Sequence, residues 1–158
     1  MITQAEADNL NAMEKKIKNS EKFLEFPAPG DFIEINLLSL DEALKFIIDI
    51  NRKGSIRLKY AYQERYRGSI ILVRLDISGS PHTNPEVDSV PLDYLESING
   101  KKIDCPHLHV YVENYDDKWA IPVPVDKFPK LQNLEDTLND FFRFCNVVEF
   151  PIIQGRLF

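Results

Sequence analysis

Cysteine is too scarce in this chain to frame a disulfide scaffold: there are two, Cys105 and Cys145, in 158 residues. That scarcity suits a reducing compartment, with both thiols free to bind metal, and the expected location is the cytoplasm. No apolar run approaches the roughly 20 residues needed to cross a bilayer, so no membrane role is expected. The opening Met1-Ile2-Thr3-Gln4-Ala5-Glu6 lacks a basic region followed by an apolar stretch, so no secretory leader is expected there. A glycine-rich phosphate loop, a GxSxG elbow and a dinucleotide fingerprint are all missing. Repeats and low-complexity tracts are missing too.

What is present has the balance of one ordinary globular domain spanning 1–158, with 44% hydrophobic and 28% charged residues. The net charge of −6 argues against direct binding of nucleic acid in general. The charge is unevenly spread. Lys45 to Arg74 holds eight basic residues against Asp49 and Glu64, whereas Thr83 to Asp117 holds eight acids against Lys101 and Lys102. One basic and one acidic surface would follow, unless the charges face water singly.

Thr3-Gln4-Ala5-Glu6 reads as a capping box opening a helix to about Lys18, with Leu10, Met13 and Ile17 as its apolar stripe. Phe32 to Leu37 alternates as a strand. Residues 40–48 admit a short helix, but Phe46-Ile47-Ile48-Asp49-Ile50 reads as β. A hairpin through Ser55 to Gln63 and a strand from Ser69 to Ile77 follow. Gly79 to Lys102 is irregular, interrupted by Pro81, Pro85, Pro91, Asn99 and Gly100, and such segments are more often functional than incidental. Leu108 to Glu113 and Lys118 to Val123 form a second hairpin, and Asn133 caps a last helix stopping near Asn146. The fold expected is α+β: an antiparallel sheet of about five to six strands flanked by an N-terminal and a C-terminal helix.

The soft metal ligands are His82, His107, His109, Cys105 and Cys145, and three of them sit in Cys105-Pro106-His107-Leu108-His109. Alternate residues of a strand share a face, so Cys105, His107 and His109 can point one way. His82 could fold over from the irregular segment as a further ligand. Cys145 is the weaker candidate, because its place on an apolar helix face suits a core filler. The nitrogen and sulfur set favours zinc, tethering segment 79–106 to the sheet; four protein ligands would close the site and three would leave it open. The bland alternative is a pair of ordinary strand histidines.

A metal-free reading makes His107 or His109 a general acid/base, with Arg74, Lys118 or Tyr111 stabilising a phosphate, as a ribonuclease requires. Metal-assisted hydrolysis would draw its base from Asp76, Asp104 or Glu113. Trp119 reads as a core or rim aromatic. Tyr60, Tyr62 and Tyr66 with Arg57, Arg65 and Arg67 could form a partner or single-strand nucleic-acid face, or only a solvated one.

Taken together, Arg74-Leu75-Asp76, Pro81-His82-Thr83-Asn84-Pro85, Cys105-Pro106-His107-Leu108-His109-Val110-Tyr111, Asp117-Lys118-Trp119-Ala120 and Phe144-Cys145-Asn146 resemble a family of uncharacterised proteins. Its members are carried by phages, prophages and mobile elements of Gram-positive bacteria, and the resemblance runs from Glu6 to Phe158. It implies a bacterial host cell and, by analogy, an inhibitor of host defences of the anti-CRISPR type. The expected function is therefore a zinc-stabilised, non-enzymatic protein that binds a host protein, such as an RNA-guided nuclease complex. The alternative is a metal- or histidine-dependent hydrolase of nucleic acid, resembling a toxin-associated ribonuclease.

Overall fold

The computed structural model of the protein describes residues 1–19, 23–53 and 60–155. Part of the expected hairpin strand, residues 55–59 with Ile56 and Leu58, lies outside them, as do residues 156–158 of the tail.

Helix α1, Gln4–Ala12, is capped as its sequence predicts: the Thr3 hydroxyl accepts from the Glu6 amide, and the Glu6 carboxylate accepts the Thr3 N–H at 2.7 Å. It stops at Ala12, short of Lys18. Met13 turns extended and the chain enters strand β1, Lys15–Ile17. Sheet pairing wins over the narrow helical stripe here, because the Lys15 ammonium is drawn inward to meet Glu64 at 3.1 Å.

Short β2 (Phe23–Glu25) precedes β3 (Phe32–Ser39) and β4 (Lys45–Asn51), so the 40–48 region is turn and strand rather than helix. After them come β5 (Tyr60–Tyr66) and β6 (Ile70–Ser78). The irregular stretch holds a two-residue β7 (His82–Thr83), a 3₁₀ turn at Asp93–Ile98 and a two-residue β8 (Lys102–Ile103). The chain continues through β9 (His107–Val112), β10 (Asp116–Pro122), α2 (Leu134–Phe144), β11 (Val147–Val148) and β12 (Ile152–Gln154).

Eight strands form the main sheet in the order β10-β9-β6-β5-β4-β3-β1-β11, antiparallel except at the β1–β11 pair. The fold is α+β, but this sheet is larger than the five to six strands expected. The extra strands are the short ones, β1 and β11, which carry too few residues to show a period-two pattern.

One face of β3, β4 and β5 is apolar. Ile35, Leu37, Phe46, Ile48, Ile50 and Tyr62 are buried in one cluster with Leu138, Phe141 and Phe142 of α2. The Tyr62 hydroxyl donates to the Leu134 carbonyl at 2.7 Å. Tyr62 and Tyr66 are therefore core residues, not a binding face; their even numbering puts them on the inward side of β5. On the opposite face, Glu34, Asp49, Gln63, Arg74 and His109 lie in register across five adjacent strands.

Segment 79–103 folds against the β9–β10 end of the sheet. Leu95 packs with Val112 and Trp119 in a second buried cluster. Asn84, 3% exposed, donates to the carbonyls of Ala120 and Ile98 and accepts the Ala120 amide at 2.8 Å. The Pro-His-Thr-Asn-Pro piece thus contains a structural hook as well as a histidine.

Candidate metal centre

Antiparallel pairing places Asp76 opposite His107 and Arg74 opposite His109, so all four side chains leave the same face of the sheet. Both imidazoles are buried, whereas Asp76 and Arg74 are about a quarter exposed and leave one side of the group open to solvent. Asp76 Oδ2 lies 3.4 Å from Nε2 of His107 and 3.4 Å from Nε2 of His109.

The remaining hydrogen bonds decide what those nitrogens can do. His109 Nδ1 is 2.8 Å from the Asp117 carbonyl, which can only accept, so Nδ1 carries a hydrogen and, in the neutral ring, Nε2 presents a lone pair. His107 Nδ1 faces the Asp104 carbonyl at 3.3 Å, and the Cys105 sulfur lies 3.6 Å away. With Nδ1–H on both rings, two lone pairs point at a carboxylate oxygen, and only a cation or protons between them make that favourable. Arg74 supplies part of the answer. Its Nε donates to Asp76 at 2.9 Å, its Nη1 to Asp117 at 2.6 Å, and its Nη2 lies 2.9 Å from His109 Nε2.

One guanidinium against the carboxylates of Asp76 and Asp117 leaves the group a net −1 with neutral imidazoles, which favours one more cation. Burial raises the Asp76 carboxyl pKa, but hydrogen bonds from His107 and His109, which require protons on Nε2 in the metal-free site, and the Arg74 charge outweigh it, holding the group well below the ordinary carboxylate range. Asp76 is therefore ionised and available as a ligand.

The donor set fits a zinc-class ion. Tetrahedral ligands at about 2.0–2.1 Å from zinc lie about 3.4 Å from one another, and both Asp76 to histidine spacings have that value. All three ligand atoms fall within 4.8 Å of one another. Each imidazole is oriented through Nδ1 by a backbone carbonyl, the second layer that metal-binding histidines ordinarily carry.

His82 stands at the rim. Its ring lies edge-on to His109 at 4.6 Å between centroids and 6.1 Å from His107, so the three histidines share one site. Its Nε2 donates to the Lys118 carbonyl at 2.8 Å, which leaves Nδ1 free to accept. Burial lowers the His82 pKa, and the positive charges of its neighbours lower it further against the Lys118 carbonyl.

Several candidates from the sequence stand elsewhere. Cys105, just before β9, stays beside the histidines but at the Nδ1 edge of His107, 3.6 Å from that nitrogen and not at the Nε2 edge that faces Asp76; its thiol donates to the Ser80 carbonyl at 3.7 Å. Cys145 is in the core beside Glu64 and meets no histidine, because the apolar face of α2 turns inward. Lys118 enters through its carbonyl, while its side chain is exposed. Glu113 accepts the Gln4 amide at the start of α1, and the Tyr111 hydroxyl donates to the Ile2 carbonyl; both serve packing. Asp76 appeared in the sequence only as a candidate base. Its i, i+2 relation to Arg74 shows that they share a face, but not which strand lies beside it.

A family model matches residues 2–147. The chain belongs to DUF6978, a family of unknown function. The matched span contains Arg74, Asp76, His82, Cys105, His107, His109 and Asp117. No curated protein and no solved structure matches the chain. Membership of the family brings no chemistry from outside the chain.

Proposed function

We propose that this protein is a metal-dependent hydrolase, with Asp76, His107 and His109 holding one zinc-class ion. One observation carries the reading: the three ligand atoms converge from β6 and β9, strands that the sheet already pairs. An ion there is not needed to bring distant pieces of chain together, which is the task of a structural zinc. Three protein ligands leave a position for water or substrate, and the quarter-exposed Asp76 and Arg74 leave a way in.

A bound ion of this class supplies Lewis acidity and lowers the pKa of a water held on it. The chain supplies the rest. Asp117 and Asp104 fix the two imidazoles through their carbonyls, and Arg74 orients Asp76 through Nε. His82 offers Nδ1 as an acceptor at the open edge. The substrate class we carry forward is the phosphodiester of nucleic acid, whose charge needs the ion to offset the local net −1.

The test is turnover of single-stranded RNA, single-stranded DNA and a chromogenic phosphodiester by untagged protein with zinc, manganese, nickel or iron(II). Metal-dependent cleavage is expected, reduced at least about 100-fold by Asp76→Asn or His109→Ala. No cleavage with any ion, together with a large rise in melting temperature on zinc addition, would overturn it. The second reading would then stand: a zinc-stabilised binding protein that inhibits a host defence complex, with His82 closing the coordination sphere. The edge-on contact of His82 with His109 is the observation that favours it.

A further inference from the structure

A second site lies on the same outer face as the metal centre, beyond β5. Leu38 and Ile47 are apolar residues on a side of the sheet otherwise occupied by Glu34, Asn36, Asp49 and Arg65. Register fixes this placement: Leu38 pairs with Lys45 and Asn36 with Ile47, while Leu37 and Phe46, also paired, face the core. With Leu44 they floor a cavity of about 400 Å³. Its rim carries Lys18, Lys45 and Arg67.

The walls are two turns held by their own bonds. In the β3–β4 turn Asp41 bonds the Ser39 hydroxyl and the Ala43 amide, Ser39 Oγ accepts the Leu44 amide, and Glu42 adopts φ 61°. The β5–β6 turn is built on Arg67 and Gly68, both at positive φ. Such a site exists before any ligand arrives, which lowers the entropic cost of binding.

Charge then selects the occupant. Among the described residues, none of the three rim cations forms a salt bridge; Glu42 is taken by Lys16 at 2.9 Å, and Glu34 and Asp49 by Arg65. Glu6 feels the charge of Arg67 without forming a salt bridge with it. Arg67 rests over the Tyr66 ring at 4.9 Å, and three cations without an ion-pair partner around an apolar floor complement an anionic head on an apolar body. An extended polyanion fits poorly, since the floor is greasy and the acids Glu34 and Asp49 lie next along the face.

We propose that this cavity binds a small amphiphilic anion, with a carboxylate or phosphate head at Lys18, Lys45 and Arg67 and an apolar body over Leu38, Leu44 and Ile47. The proposal is independent of the metal centre, because no residue is shared.

The experiment is calorimetric titration of the full chain with decanoate and with decyl phosphate, below their micelle concentrations, and with octyl glucoside as the uncharged comparison. Saturable binding of at least one anion at one site per chain is expected; which of the two binds more tightly identifies the head. Octyl glucoside should bind at least about tenfold more weakly, and Lys45→Glu with Arg67→Glu should weaken the anion by at least about tenfold. Both substituted residues are exposed, and a melting curve of the double variant verifies its fold. Lys101→Glu with Lys102→Glu, on the far irregular segment, should leave binding unchanged. Absent saturation, equal binding of the neutral compound, or indifference to the rim charges would each overturn the site.

Discussion

Lys15→Ala is expected to cost about 3–5 kcal/mol of folding stability, read from urea unfolding, because it strands a buried carboxylate without its counter-charge. Lys15 and Glu64 are both fully buried, with Nζ 3.1 Å from Oε1. The same ammonium donates to the carbonyls of Met13 and Cys145 at 3.0 Å each and lies 4.9 Å from the Phe46 ring centroid. One side chain therefore ties the exit of α1 and the exit of α2 to β5. Replacing both partners by apolar residues, Lys15→Met with Glu64→Leu, should recover most of the loss, since the pair's desolvation cost disappears with it. A loss under about 1 kcal/mol for Lys15→Ala would refute this account of the core.

The same pair sets a pH dependence of definite sign. Burial raises the Glu64 pKa from 4.5 to about 7, with Lys15 pulling the other way. Between those values the folded chain keeps a proton that the unfolded chain releases, so stability falls as pH rises through the window. The drop is about 3 kcal/mol at most and is complete above the folded pKa. Glu64→Gln should flatten the stability curve between about pH 4.5 and 7. An unchanged slope in that variant would assign the dependence to other groups.

How much of this was legible differs from element to element. Alternation of Ile33, Ile35 and Leu37 located β3, and Asn133 with Leu134, Leu138 and Phe141 located α2. Local signals sufficed because each element buries a face matching its own period. Lys15 was not legible: a lysine between Met13 and Ile17, inside the span that reads as helix, gives no sign that it will be fully buried. His107 and His109 were legible as a same-side pair. Asp76 as their partner was not, since it depends on β6 lying beside β9, a neighbourhood set by chain closure about 30 residues later. Cys105 was legible as a neighbour of His107, its sulfur 3.6 Å from Nδ1, but the edge of the ring it meets was not. It continues the alternation in sequence, but the strand begins two residues after it.

The metal centre carries the other large expected effect. Asp76→Asn keeps the shape of the side chain while removing the charged oxygen that both Nε2 atoms face, and should weaken zinc binding by roughly 100- to 1000-fold. His107→Ala and His109→Ala should weaken it at least as much, whereas Cys105→Ser and Cys145→Ala should leave it unchanged. The wild-type chain should gain about 2.7 kcal/mol of stability at zinc a hundredfold above its dissociation constant, and the Asp76 variant almost none. Without zinc, the wild-type and Asp76→Asn chains should melt cooperatively and close together, because β6 and β9 are already paired by backbone bonds along Val73 to Asp76. That last comparison separates a site mounted on a finished sheet from one that builds it. If the metal-free wild type proved unfolded, the ion would belong to the folding free energy, as in a zinc finger, and the catalytic reading would lose its main support.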